Sequence, residues 1–162
     1  MQQHMSIESL PRTVLEDQPV HEVRMVRLPD AAPESVPPPQ FSSITANSFT
    51  VVASPPVMPN GALTKYRLYQ NGTQINTMPS PNPQTSTVTF QVTGLSPFTV
   101  YIYYIEVCTV GGCGQSSVVN QRTAEAPPIG IDPPVGRALS SSSINITWSP
   151  PQQPNGIILR YE

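Results

Sequence analysis

Apolar side chains in the middle of this chain recur at every second position. Phe49, Val51 and Ala53 form one such row, Val88, Phe90 and Val92 a second, and Tyr101, Tyr103, Ile105 and Val107 a third. A period of two puts each row on one face of a β-strand, whereas a helix would repeat every three or four residues. The pattern predicts a weak first strand over 41–44, then strands over 48–53, 63–70, 74–76, 85–92, 101–109 and 118–122, with Tyr66 and Leu68 inward on the third. After the third stands Asn71-Gly72, the pair suited to a type I′ hairpin turn, where both residues need positive φ. Short strands with one apolar side each bury it by stacking two sheets. The expected fold is all-β, an antiparallel seven-stranded Greek-key sandwich.

The chain also repeats itself. Ser54-Pro55-Pro56 returns as Ser149-Pro150-Pro151, an offset of 95 residues (149 − 54). At the same offset Pro59-Asn60-Gly61 returns as Pro154-Asn155-Gly156, Tyr66 as Tyr161, and Pro38-Pro39 as Pro133-Pro134. Matches at one ungapped offset indicate tandem modules. The expected division is a leader or linker over 1–36, a complete module over 37–124, a linker over 125–132 and a truncated second module over 133–162. Two readings stand for the leader: a flexible segment, or the remnant of a preceding module, since 23–28 falls where 118–123 falls one repeat later. The second copy is expected to hold only the first three strands of a sandwich. It should be poorly ordered alone or prone to association, with Trp148 and Ile158 uncovered.

Composition narrows the functions. Proline is 21 of 162 residues, clustered at 33–39, 79–83 and 127–134, so it punctuates strands and modules instead of dispersing the chain into disorder. Net charge is −2, and Glu106 is the only charged residue between Leu68 and Gln121. Nucleic-acid binding needs clustered cations and is not expected. No apolar run is long enough to span a membrane, and the first residues lack a signal peptide's apolar core. The two histidines, His4 and His21, lie outside the strand region, so no Ser/His/Asp arrangement can be built within it. Glu106 has no second carboxylate beside it and reads as part of a solvated strand face. No phosphate loop or Arg-Gly-Asp triplet occurs. No enzyme, cofactor or metal is expected.

Cys108 and Cys113 flank a four-residue loop at a hairpin tip. Cross-strand neighbours sit close enough for an S–S bond, so a disulfide stiffening the tip is one reading and two free thiols the other. A zinc site would need more ligands and a redox dithiol a two-residue spacing. An even cysteine count suits an oxidising compartment. By alternation Cys108 points away from the core. Asn71-Gly72-Thr73 and Asn145-Ile146-Thr147 match the N-glycosylation acceptor pattern, though Asn71 also has its turn to explain it.

Three stretches carry a family resemblance. Trp148-Ser149-Pro150-Pro151, the run from Gly94 through Leu95, Ser96 and Pro97 to Tyr101, and residues 112–123 together resemble the fibronectin type III family. The resemblance implies that Tyr101 turns its ring inward and bonds nearby backbone, that Leu95 and Pro97 lock the crossing between sheets, and that Trp148 is a core tryptophan. In the first copy that tryptophan position is Ala53, so either neighbours such as Tyr103 or Tyr104 fill the volume or this module is less stable than its relatives. A narrower resemblance runs through Cys108–Cys113 and the Arg-Thr-Ala-Glu-Ala-Pro-Pro linker. It is to the repeated modules of a very large protein of basement membranes and sensory-cell links. It implies an extracellular or cell-surface adhesive spacer contacting matrix or cell-surface proteins and neighbouring modules. The candidate interaction surface is Thr109, Val110, Gly111 and Gly112 with exposed Tyr104. Other readings are a module of an intracellular scaffold, an accessory domain of a carbohydrate-active enzyme, or a truncated product without function.

Overall fold

The computed structural model describes residues 28–162. Among these, every regular element is a strand: β1 (Gln40–Ser42), β2 (Phe49–Ala53), β3 (Lys65–Gln70), β4 (Thr73–Pro79), β5 (Val88–Val92), β6 (Val100–Cys108), β7 (Cys113–Gln115), β8 (Val119–Arg122), β9 (Val135–Ser140) and β10 (Ser143–Thr147). One sheet runs β1-β2-β5. The other runs β4-β3-β6, with β7 and β8 both paired to the free side of β6. All pairings are antiparallel. The period-two rows face each other across the two sheets: Phe49, Val51, Phe90, Tyr66, Leu68, Tyr103, Ile105 and Val107 are essentially inaccessible. The short strand β7 falls where the pattern reads only a hairpin tip.

The Asn71-Gly72 turn forms as expected, with φ of 49° and 83°. The Asn71 side chain does more than bend. Its Oδ1 accepts the Ile102 N–H at 2.9 Å, tying the turn to β6. The crossing to β6 is knit by Tyr101, whose hydroxyl accepts the Ser96 N–H at 2.9 Å while its ring packs against the core. Leu95 is buried, and the Asn47 side chain donates to its carbonyl at 3.0 Å. Buried Thr123 closes the corner by donating to the Ser96 carbonyl at 2.7 Å and accepting from the Thr99 N–H at 2.9 Å.

Ala53 is fully buried, but neither tyrosine named for its missing indole sits at that end. Tyr103 packs edge-on against Phe41 and Phe49 at the opposite end of β2. Tyr104 lies on the other face of β6. Tyr66, near the start of β3 on the facing sheet and opposite Val107, is fully buried.

The chain joins the sandwich before Pro37. Val36 is part of the core, and Glu34 bridges to Met58. Residues 30–33 cross the β6–β7 hairpin so closely that a Cβ on Gly111 would overlap the Asp30 carbonyl. Further along, β9 and β10 pair in the register that β1 and β2 use one repeat earlier. Every residue of both strands is exposed. The third strand expected there does not form, because it has no neighbour to pair with among the described residues. Trp148, assigned to a core by resemblance, is 56% exposed, its ring tilted against that of Tyr161 with centroids 5.8 Å apart. The readings for residues 1–27 lie outside the described residues.

Candidate functional site

Alternation that turns Tyr103, Ile105 and Val107 inward turns Tyr104, Glu106 and Cys108 to the outer face of the larger sheet, beside Arg67 and Tyr69 of β3. Register sets Arg67 directly opposite Glu106 and Tyr69 opposite Tyr104. The two tyrosine rings stack at 4.5 Å with planes 8° apart. Arg67 donates to Glu106 Oε1 at 2.5 Å, Gln115 donates to Oε2 at 3.1 Å, and the Tyr69 hydroxyl lies 3.4 Å from Oε1.

Glu106 is therefore not a solvated side chain. It is 9% exposed, covered by the partners that neutralise it. Burial pushes its carboxyl pKa upward, but hydrogen bonds from Gln115, Arg67 and Tyr69 and the guanidinium charge outweigh this and hold it below the ordinary value. The same pair raises the pKa of Arg67. Tyr104, expected to be exposed, is half-buried by its stack. The feature that could have revealed this site is Arg67, a strand cation placed to meet the lone acid of the region.

Cys108 and Cys113 are joined in a disulfide with Cα atoms 4.0 Å apart. Cys108 has the outward parity expected of it but is only 1% exposed. Glu106 lies near both sulfurs. Because those sulfurs are bonded to each other, they offer no thiolate for a metal.

The hairpin tip is not a free loop. Thr109 is buried, its hydroxyl donating to the Ala31 carbonyl at 2.6 Å and accepting from the Gly111 N–H at 3.1 Å. Gly112 is half-buried, and its carbonyl accepts the Thr109 N–H at 2.9 Å. Only Val110, 82% exposed, projects its side chain. The tip and Tyr104 do not form one patch, since Cys108 stands four positions beyond Tyr104, roughly 13 Å along β6. Of the acceptor-pattern asparagines, Asn71 and Asn145 are both exposed.

Comparison with known proteins agrees with this geometry. The fibronectin type III domain profile matches residues 31–122. Usherin of Rattus norvegicus is 37% identical over 137 residues, 85% of this chain, and usherin of Homo sapiens is 36% identical over 82%. The phosphatidylinositol phosphatase PTPRQ of Rattus norvegicus is 32% identical over 86% of the chain. This chain spans only 2% of the usherins' length and 6% of that phosphatase's. The sixth fibronectin type III domain of human fibronectin type III domain containing protein 3 superposes with a TM-score of 0.50 at 25% identity, covering 64% of this chain and 98% of that one. The matched stretch is the one that folds into the two-sheet sandwich, and the chain belongs to the fibronectin type III family, whose modules are structural and non-catalytic.

Proposed function

We propose that the chain serves as an adhesive spacer in an extracellular or cell-surface array, and that it meets a matrix or cell-surface protein through the outer face of β3 and β6. The observation that carries this reading is the Tyr69–Tyr104 stack, fastened to the Arg67–Glu106–Gln115 network. Protein interfaces are enriched in tyrosine and arginine, and a preordered aromatic surface loses little side-chain entropy on binding. The disulfide suits an oxidising compartment. The relation to usherin supports the same setting. Val110 at the hairpin tip is a second, smaller contact. The repeat-based division, with a module over 37–124, a connection over 125–132 and a second unit from 133, belongs to this reading, the incoming residues from Ala31 being counted with the module they touch.

Asn71 and Asn145 are taken as glycan carriers. At Asn71 the turn uses Oδ1, so Nδ2 remains for the sugar bond. Chain secreted from animal cells should lose one glycan mass with Asn71→Gln and one with Asn145→Gln. Unchanged masses would remove both sites.

The binding face is tested on wells coated with solubilised basement-membrane matrix. Tyr104→Ala and Tyr69→Ala should each weaken binding about tenfold, and Thr87→Ala, on the opposite sheet's side, should not. Equal binding by all variants, or no binding by the native chain, would overturn the assignment.

A further inference from the structure

Four contacts hold the incoming segment of the sandwich to the loop after β2. The Ala31 N–H donates to the Asn60 carbonyl at 2.9 Å, and Asn60 Nδ2 donates to the Ala32 carbonyl at 3.0 Å. The Ala62 N–H donates to the Asp30 carboxylate at 3.2 Å, and Glu34 bridges to Met58. All four recur one repeat later. The Ala126 N–H donates to the Asn155 carbonyl at 2.9 Å, and Asn155 Nδ2 donates to the Pro127 carbonyl at 2.9 Å. The Ile157 N–H donates to the Glu125 carboxylate at 3.3 Å, and Ile129 bridges to Gln153. Both asparagines have φ of 53°, a left-handed conformation that asparagine tolerates better than most residues. In the glycine after each, a Cβ would press on the acid side chain, at 2.6 Å from Asp30 and 3.0 Å from Glu125. The second set forms where β9 and β10 are wholly exposed. These contacts therefore do not depend on a finished core.

We propose that Pro-Asn-Gly with its acid is a junction clasp, a site by which each module grips the chain arriving from the module before it. The hand-over between the two units has no slack. Thr123 N–H donates to Thr99, Phe98 N–H donates to the Ala124 carbonyl at 3.0 Å, and Ala124 N–H donates to Thr45 at 2.9 Å, all within the first module. The next residue, Glu125, is already held by the second clasp. No unbonded residue lies between the grips, and Pro97 and Phe98 share a cleft with the Asn155 loop. The angle between units is thus set by hydrogen bonds around one peptide. The linker prolines come after the hand-over and do not set it. The partner this surface fits is the tail of another module of the same family. The inference goes beyond the sheet-face reading and does not rest on it.

The test uses the full chain in solution, with amide exchange and residual dipolar couplings measured by NMR. In the native chain Ala126 and Ile129 should be protected, and couplings from β6 and from β9–β10 should fit one alignment tensor. Asn155→Ala should speed exchange at Ala126 and Ile129 about tenfold, leave Phe90 and Ala124 unchanged, and split the tensors. Asn155→Gly keeps the backbone freedom without the side-chain donor and should fall between. Unprotected Ala126 in the native chain, or unchanged exchange and alignment in Asn155→Ala, would overturn the proposal. Should Asn155→Ala unfold the hairpin, Asn60→Ala in the stable module decides. About tenfold faster exchange at Ala31 with Phe90 unchanged supports the clasp, and no change at Ala31 refutes it.

Discussion

Strand β2 and strand β10 occupy equivalent places in the repeat, pair with their neighbours in the same register, and have opposite surroundings. In β2, Phe49, Val51 and Ala53 are sealed from solvent, while in β10 Ile144 is 62% and Ile146 50% exposed. Local pattern and turn chemistry therefore suffice to specify the hairpin. They do not bury it. Burial comes from the facing sheet, whose Tyr103, Ile105 and Val107 have no counterpart beside β10 among the described residues. Hydrophobic stabilisation follows area removed from water, so nearly all of it belongs to the first unit.

The largest test of this contrast substitutes one apolar residue in each unit. Phe90→Ala empties a fully buried site and should cost about 3–5 kcal/mol, much of a small domain's total stability. Trp148→Ala removes a larger ring but one more than half exposed, and should leave the urea midpoint of the first unit where it was. A comparable drop for Trp148→Ala would show that the second hairpin is buried in solution.

A covalent tie distinguishes the units next. The Cys108–Cys113 bond closes a short loop, and the chain-entropy estimate for so few residues is about 2 kcal/mol. Reduction should lower the unfolding free energy measured in urea by that amount while NMR shifts of residues 133–162 stay fixed. Stability indifferent to reductant would count against a disulfide in the folded chain.

Glu106 comes third. Its folded pKa lies below the ordinary value of 4.5. Its contribution is therefore complete above that value and lost as pH falls through the lowered folded pKa. At neutral pH Glu106→Gln should cost about 1.5 kcal/mol, the scale of a charge-assisted hydrogen bond. In urea titrations the gap between native and variant chains should close on acidification. A gap that is constant with pH would show that the carboxylate is not what the network holds.

Much of this molecule is legible from residue order alone. Alternation locates the core rows, Asn71-Gly72 locates a turn, and the run from Leu95 to Tyr101 locates the sheet crossing. Alternation assigns a face, however, and not the coverage of that face. Glu106 and Cys108 have outward parity, yet Arg67, Gln115 and chain from far earlier positions hide them, and register across strands decides that. Likewise Pro-Asn-Gly marks the repetition by its spacing alone. Its grip on Ala31 and Ala126 depends on how the incoming chain lies over the loop.

The smallest expected effect concerns Tyr66 in the core of the first unit, and it is a gain. Tyr66 is fully buried, and its hydroxyl is the one buried side-chain polar atom without a hydrogen-bond partner among the described residues. Burial alone raises its pKa, as desolvation without a compensating bond should. The ring fills core space while the oxygen carries a desolvation penalty. Its repeat equivalent, Tyr161, is half-exposed and carries no such penalty. Tyr66→Phe should therefore stabilise the first unit by about 1 kcal/mol, read as a higher urea midpoint at unchanged slope. Tyr161→Phe should do nothing. A destabilised Tyr66→Phe would mean that the hydroxyl has a partner in solution.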